Sequence, residues 1–279
     1  MSLGTVPGMG PAIALDPAAA LVVVVAGVLY LAGVRRLARG RGWPARRTSA
    51  FVAGLLVVAL ATQSGLAGAE ADRFSIHTVQ HVLLGMVSPA LMALGAPVTL
   101  ALQASRRPTQ VVLLRLLHSA PLRLLTHPVT AWLVFGGSLI LLYFTPVLEL
   151  SLTNDVVHGA VHLQFLTAGG LFCWTAVGLD PLQWRLPHGA RLLFVVLAVP
   201  VHAIVGLSLM GAVEPLAGGA FGTDAAALAD QRVAGGILWA TGDLFGVILA
   251  GVVLAQWMAH EERAGRRHDR LLGAERSVP

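Results

Sequence analysis

An all-α membrane protein, a bundle of seven transmembrane helices, is the fold that three features of this sequence predict. Of its 279 residues 56% are hydrophobic and only 12% charged, with a mean hydropathy of +0.76. A water-soluble domain carries roughly twice that charge. Several apolar stretches approach or exceed the ~18–20 residues needed to cross a bilayer. All 19 basic residues are arginine, and they collect in alternate connections between those stretches. The length suits one bundle: residues 1–262 form a seven-helix transmembrane domain, and residues 263–279 a charged, frayed cytoplasmic tail.

The first span is expected from about Asp16 to Leu37, with Pro17 suited to a first helical turn. The loop after it, RRLARGRGWPARR, holds six arginines and no acid. A second span, about Thr48 to Leu66, leads into a short polar loop, AGAEADRF. The third, about Ser75 to Gln103, is long and is interrupted by Pro89 and by Gly95-Ala96-Pro97. A kink is expected near Pro89, because proline lacks a backbone donor and clashes with the preceding turn. In SRRPTQVVLLRLLHSAPLRLLTHP, Arg115, His118 and Arg123 recur among leucines. That run is too short and polar to span, and it reads as one interfacial amphipathic helix.

The fourth span is expected from about Val129 to Tyr143, followed by the loop TPVLELSLTNDVV. The fifth runs about His158 to Val177 and the sixth about Leu192 to Gly211. A longer loop, AVEPLAGGAFGTDAAALADQR, precedes the seventh, about Gly235 to Trp257. With this alternation, seventeen arginines lie on the side of the first loop and the tail, and only Arg73 and Arg232 lie opposite. The positive-inside rule then places the N-terminus outside and the C-terminus in the cytoplasm.

Other classes are disfavoured. Binding of nucleic acid needs a soluble basic face with aromatics or a binding motif, and neither is present. One cysteine, Cys173, allows no internal disulfide and no CxxC site, and between Phe172 and Trp174 it reads as a packed apolar residue. The start, MSLGTVPGMGPAIALDP, lacks the positive segment of a cleaved signal peptide. Neither a nucleophile elbow nor a P-loop occurs, so an enzyme is not expected.

The histidines divide by this topology. His118, His127, His188, His260 and His268 fall beside arginine at the cytoplasmic face. His77-Thr-Val-Gln-His81 opens the third span, and His158-Gly-Ala-Val-His162 opens the fifth. Residues four apart share a helical face, so each pair presents two imidazoles together. Both pairs lie at the outer level, with Asp72, Asp155 and Asp230. His202 lies deeper in the sixth span, and Asp243 about two turns into the seventh. Met86 and Met210 reach similar depths. Ionisable groups in a bilayer are costly and face the bundle interior. Imidazole, carboxylate and thioether together suit copper ahead of zinc or iron. Two other readings stand beside a metal site. One is a buried hydrogen-bond network that only fixes packing. The other is a bis-histidine haem between the two helices.

At these residues the sequence resembles the multi-spanning CtaG assembly factors of caa-type cytochrome c oxidases. The resemblance rests on FSIHTVQHVLLGMVSPALMALGAPVTL, on the His158/His162 pair with FLTAGGLFCW, on mid-span His202, and on DQRVAGGILWATGDL. GWPARRTSAFVAGLL also fits, so the likeness covers about Arg35 to Trp257. It implies a bacterial plasma-membrane protein of the respiratory chain that handles copper for cytochrome c oxidase subunits, a metallochaperone in the bilayer. Thr78 and Val82 stand where that family often has methionine, which leaves Met86 as the nearest thioether. The expected metal site comprises His77, His81, His158 and His162, with Asp72, Asp230, His202 and Met210 as supporting or alternative ligands. Neutral imidazole ligates, so affinity is expected to fall below about pH 6.5. The alternatives are a haem-binding oxidoreductase and a copper or small-ion transporter stepping through His202 and Asp243.

Overall fold

The computed structural model describes residues 16–40, 42–70 and 72–276, with the side chains of Ala18 and of residues 268–276 excepted. Arg41 and the side chains of His268, Arg270 and Arg276 therefore lie outside the described residues. Among those described, every regular element is helical. Six helices are long and apolar enough to cross a membrane, and a bent pair gives a seventh crossing if its two parts count as one.

Helices α1 (Pro17–Ala38) and α2 (Ala45–Gln63) run antiparallel. The Asp16 N–H donates to Gln63 Oε1 (3.1 Å), and Gln63 Nε2 donates to the Asp16 carbonyl (2.7 Å), which ties the start of one helix to the end of the other. Tyr30 of α1 stacks on Phe51 of α2 with ring centroids 4.0 Å apart. A one-turn helix, α3 (Gly65–Ala69), follows and delivers Glu70 at its C-terminal end.

The third span is built from α4 (Phe74–Val82), a π-helical turn at Leu83–Val87, α5 (Ser88–Leu94) and α6 (Pro97–Ala104). The irregularity expected at Pro89 thus takes the form of a π turn just before it. Proline offers no N–H to the carbonyl four residues back, and the Ser88 N–H instead reaches the Leu83 carbonyl five residues back. Ala96 adopts φ 49 before Pro97, ending α5 and starting α6. The Tyr30 hydroxyl fixes this turn by donating to the Gly95 carbonyl at 2.8 Å.

The amphipathic stretch forms two helices rather than one: α7 (Arg107–Leu117) and α8 (Ala120–Leu125), neither with a buried residue. Ser119 is extended ahead of Pro121, whose ring cannot continue the preceding helix. Helix α9 (Pro128–Phe144) has 17 residues, the lower limit for a crossing. The segment after it is helical too. As α10 (Val147–Thr153) it turns away from α9 by 73° at Thr145-Pro146.

Helix α11 (Asp155–Val177) starts where the Asn154 side chain accepts from the N–H groups of Val156 (3.0 Å) and Val157 (3.2 Å). The sixth span comprises α12 (His188–Val196) and α13 (Val199–Gly211), broken ahead of Pro200. The last helix, α14 (Ala225–Arg276), starts ten residues before the expected Gly235. The alanine-rich run AAALADQR is a good helix former, and Asp224 Oδ1 accepts from the Ala227 N–H at 2.9 Å. Asp230 and Gln231 are therefore helical, not in a loop. The helix continues through Arg276, so the boundary drawn at residue 262 falls inside it and the tail is helical there.

Close backbone approach organises the packing. A Cβ on Gly206 of α13 would lie 2.6 Å from the Gly235 carbonyl oxygen of α14, and one on Gly235 would lie 2.5 Å from that of Gly206. Small residues let helices meet in this way where lipid supplies no hydrophobic drive. Phe135, Phe172 and Phe194 stack in series through the core, with centroids 4.3 and 4.7 Å apart. Large apolar side chains such as Leu29, Val247 and Ile248 face outward, as lipid contact allows. The starts of α1, α4, α11 and α14 share one end of the bundle with the end of α2, and the arginine-rich connections share the other.

Candidate metal centre

Two helix starts create the site. His77 and His81 lie on successive turns of α4, and His158 and His162 on the first turns of α11. A close contact one to two turns further along holds these helices together: a Cβ on Gly169 of α11 would fall 1.9 Å from the Gly85 carbonyl oxygen in the π turn. Only glycine permits that approach, and it sets the two pairs face to face. Ring centroids are 4.2 Å apart for His77–His81 and 4.3 Å for His158–His162. Across the helices they are 5.8 Å for His77–His158 and 5.7 Å for His81–His162. An imidazole nitrogen sits ~2.0–2.1 Å from a bound zinc, which puts tetrahedral neighbours roughly 5 Å apart by ring centroid. The four separations bracket that value.

The outer part of the cluster contains a carboxylate. His158 Nε2 lies 3.4 Å from Glu70 Oε1, His162 Nε2 lies 3.9 Å from Glu70 Oε2, and the two Nε2 atoms are 2.9 Å apart. One donor atom from each of Glu70, His158 and His162 falls within 4.8 Å of the others. These three side chains are 13–20% exposed, so the cluster opens toward solvent on this side. Gln80 of α4 braces it: its Nε2 donates to the Ala61 carbonyl of α2 (3.0 Å), leaving Oε1 3.2 Å from His162 Nε2.

The inner part is closed. His77 and His81 are 0% and 3% exposed, between Phe221 on one side and Phe165 on the other. Neither nitrogen of either ring makes a hydrogen bond among the described residues. A buried polar atom left unpaired costs about 1–3 kcal/mol, so four together are unusual for rings with only a packing role. The side chains fit a metal ion on that observation and on the donor set of four imidazoles and one carboxylate.

The remaining expected ligands are placed as follows. His202 is buried on α13, its Nδ1 3.2 Å from the Ala198 carbonyl and its Nε2 without a hydrogen bond among the described residues. It shares with His81 and Met86 a gap of about 10 Å³, space for one water-sized group, and is a neighbour of the cluster rather than a member. Asp230 serves helix α4 instead of a ligand set. Its carboxylate accepts from the Ser75 N–H (3.0 Å) and Ser75 Oγ (2.6 Å), capping the first turn that carries His77. Asp72 is exposed and its side chain makes no hydrogen bond or ion pair among the described residues. The acid that reaches the histidines is Glu70, because α3 ends there while the chain has turned outward by Asp72. Met210 is 36% exposed and packs by Gly235, away from the imidazoles.

Glu70 and Gln80 are the site residues that sequence reasoning missed. Gln80 was detectable, since it lies within HTVQH and three residues from His77. Glu70 and Asp72 share one short loop, and nothing in its sequence ranks one above the other. Cys173 is fully buried, as its apolar neighbours imply.

Residues 28–260 match the family described as cytochrome c oxidase caa3 assembly factor. Uncharacterized protein Mb0105 of Mycobacterium bovis and uncharacterized protein MT0111 of Mycobacterium tuberculosis are each 32% identical over 245 residues. Uncharacterized protein ML1998 of Mycobacterium leprae is 32% identical over 243 residues. Each match covers 83% of this chain but 37% of the relative, so the chain spans well under half the length of these proteins. No solved structure matches the chain significantly. With a family match across both histidine pairs and six of the membrane helices, the chain belongs to the cytochrome c oxidase caa3 assembly factor family, CtaG.

Proposed function

We propose that this chain is a non-enzymatic assembly factor that binds copper at its histidine cluster, in the bacterial plasma membrane, for delivery to cytochrome c oxidase subunits. The single observation that carries the reading is the meeting of two HxxxH pairs, with the inner four nitrogens buried and unpaired. The family's role supports a cytochrome c oxidase client, and the imidazoles support copper as the cargo, since copper is among the metals imidazole suits. The arginine distribution supports an extracytoplasmic position for the cluster.

The chemistry assigned to each side chain follows from its exposure. Glu70, His158 and His162 meet solvent and take the ion up. The Glu70 carboxylate orients the two imidazoles and lowers the cost of bringing a cation to them. His77 and His81 hold it away from water. Gln80 and Asp230 keep the rings in register, one by bracing His162 and the other by capping α4. A haem is less well served, because the rings already lie 4.2–5.8 Å apart and the gap beside His81 is about 10 Å³. A transport path through His202 and Asp243 is likewise less well served, since the imidazoles gather at one end.

The test is oxidase maturation in cells lacking this chain, complemented by wild type or by His81→Ala/His162→Ala, with and without added copper. The proposal expects low oxidase activity in the deletion, recovery with wild type, and no recovery with the variant at limiting copper. Full oxidase activity in the deletion strain would remove the assembly role. Full rescue by the variant would remove the site.

A further inference from the structure

At the end opposite the histidines, a cavity of about 960 Å³ lies among the ends of α2, α11, α12 and α14. Six arginines line it: Arg46, Arg47, Arg185, Arg191, Arg263 and Arg266. Arginine at one face of a bundle is expected from topology alone. Topology does not require that one of them be buried in the wall, and Arg191 is 6% exposed.

The seat of Arg191 is built into the fold. Gly178 ends α11 at φ 61, and a Cβ there would lie 2.6 Å from Arg191 Nη1. The guanidinium donates to the Val177 carbonyl (2.8 Å) and to Gln256 Oε1 of α14 (2.8 Å), with the Ala176 carbonyl at 3.4 Å. Every one of these partners is neutral, and Arg191 Nε is buried with no hydrogen bond among the described residues. No carboxylate pairs with it among the described residues. Asp180, the one acid lining the cavity among the described residues, is committed elsewhere: it accepts from Thr99 Oγ1 (2.6 Å), the Thr99 N–H (2.7 Å) and Trp174 Nε1 (2.8 Å). A buried cation without a counter-ion is costly, and a concave apolar wall focuses the field of the arginines around it.

We propose that this cavity binds a phosphate-bearing anion against Arg191, either the headgroup of an anionic phospholipid or free phosphate. Guanidinium suits phosphate as a permanently charged donor; with Nη1 of Arg191 committed to the wall and Nε buried, Nη2 is the nitrogen left to donate to the anion, beside the exposed arginines of the rim. The exposed Arg185 and Arg263 close the rim, and the leucines of the 179–186 connection offer an apolar flank. The site is independent of the histidine cluster and stands or falls without it.

The test uses the purified full chain, delipidated in a zwitterionic detergent. Binding is read by native mass spectrometry and thermal shift, with short-chain phosphatidylglycerol, short-chain phosphatidylcholine and inorganic phosphate as separate probes. Arg191→Gln removes the buried charge. Arg185→Gln/Arg263→Gln changes only exposed residues, so it reports even if the first variant fails to fold. Phosphatidylglycerol is expected to bind at least about tenfold more tightly than phosphatidylcholine, and the double variant to lose about tenfold or more. Binding of phosphatidylglycerol without inorganic phosphate assigns the site to a headgroup, and binding of both assigns it to the phosphate itself. Equal binding of the two lipids with no effect of inorganic phosphate overturns the proposal. Binding of phosphatidylglycerol by the double variant as by wild type overturns it too.

Discussion

Substituting Gly169 by alanine adds one methyl group seven residues beyond His162 and alters no proposed ligand, yet it should open the candidate metal centre. The added Cβ would lie 1.9 Å from the Gly85 carbonyl oxygen, 2.7 Å from its carbon and 2.9 Å from Pro89 Cγ. Two of these are backbone atoms, so no side chain can turn aside. Reaching the ~3.5 Å of ordinary contact requires the helices to part by roughly 1.5 Å. Gly169 is two turns below His162 and Gly85 one turn below His81, so the opening extends directly into the 5.7 Å separation of those rings. Overpacking of this kind costs about 1–3 kcal/mol, and a site loosened by more than ~0.5 Å loses its preorganisation. Copper affinity is expected to fall ~10–100-fold, the range seen when support around a metal site is removed. Titration of copper into detergent-solubilised protein, beside a thermal melt followed by circular dichroism, measures both effects. Gly137→Ala is the control, because nothing lies within 4 Å of a Cβ there. Identical melting and copper binding in the two variants would refute the reasoning.

Three further substitutions separate the roles of the acids. Glu70→Gln should lower copper affinity ~10–100-fold while the protein melts nearly as wild type, checked by competition against a chelator of known affinity. Asp72→Asn, two residues away but exposed, should leave that affinity unchanged in the same assay. Asp230→Asn keeps an acceptor for Ser75 but removes the charge at the start of α4. It should cost about 0.3–1 kcal/mol of stability, read as a lower melting temperature with copper stoichiometry retained.

The parts of this fold legible in the sequence are those with local causes. Apolar runs mark the spans, since crossing a bilayer demands length and little else. Pro89 marks an irregular turn, and the i, i+4 histidines mark two helical faces. Boundaries set by competing local preferences were harder: ADQR reads as polar loop but continues an alanine-rich helix, and VLELSLT forms a helix after a sharp bend. The least legible features depend on contacts distant along the chain. Asp230 meets Ser75 across 155 residues, and the same carboxylate in a ligand role has an identical sequence signature. Glu70 and Asp72 differ only in where a one-turn helix happens to end. His202 is buried in mid-helix, but periodicity cannot tell a ring that joins the cluster from one a single water-sized gap away.

The most direct test of the central claim is copper content by elemental analysis of protein purified from copper-supplemented cells. Wild type is compared with His81→Ala/His162→Ala, both shown to be membrane-inserted and monodisperse. The account predicts bound copper in wild type and its loss in the double variant. Equal copper in the two proteins would contradict it.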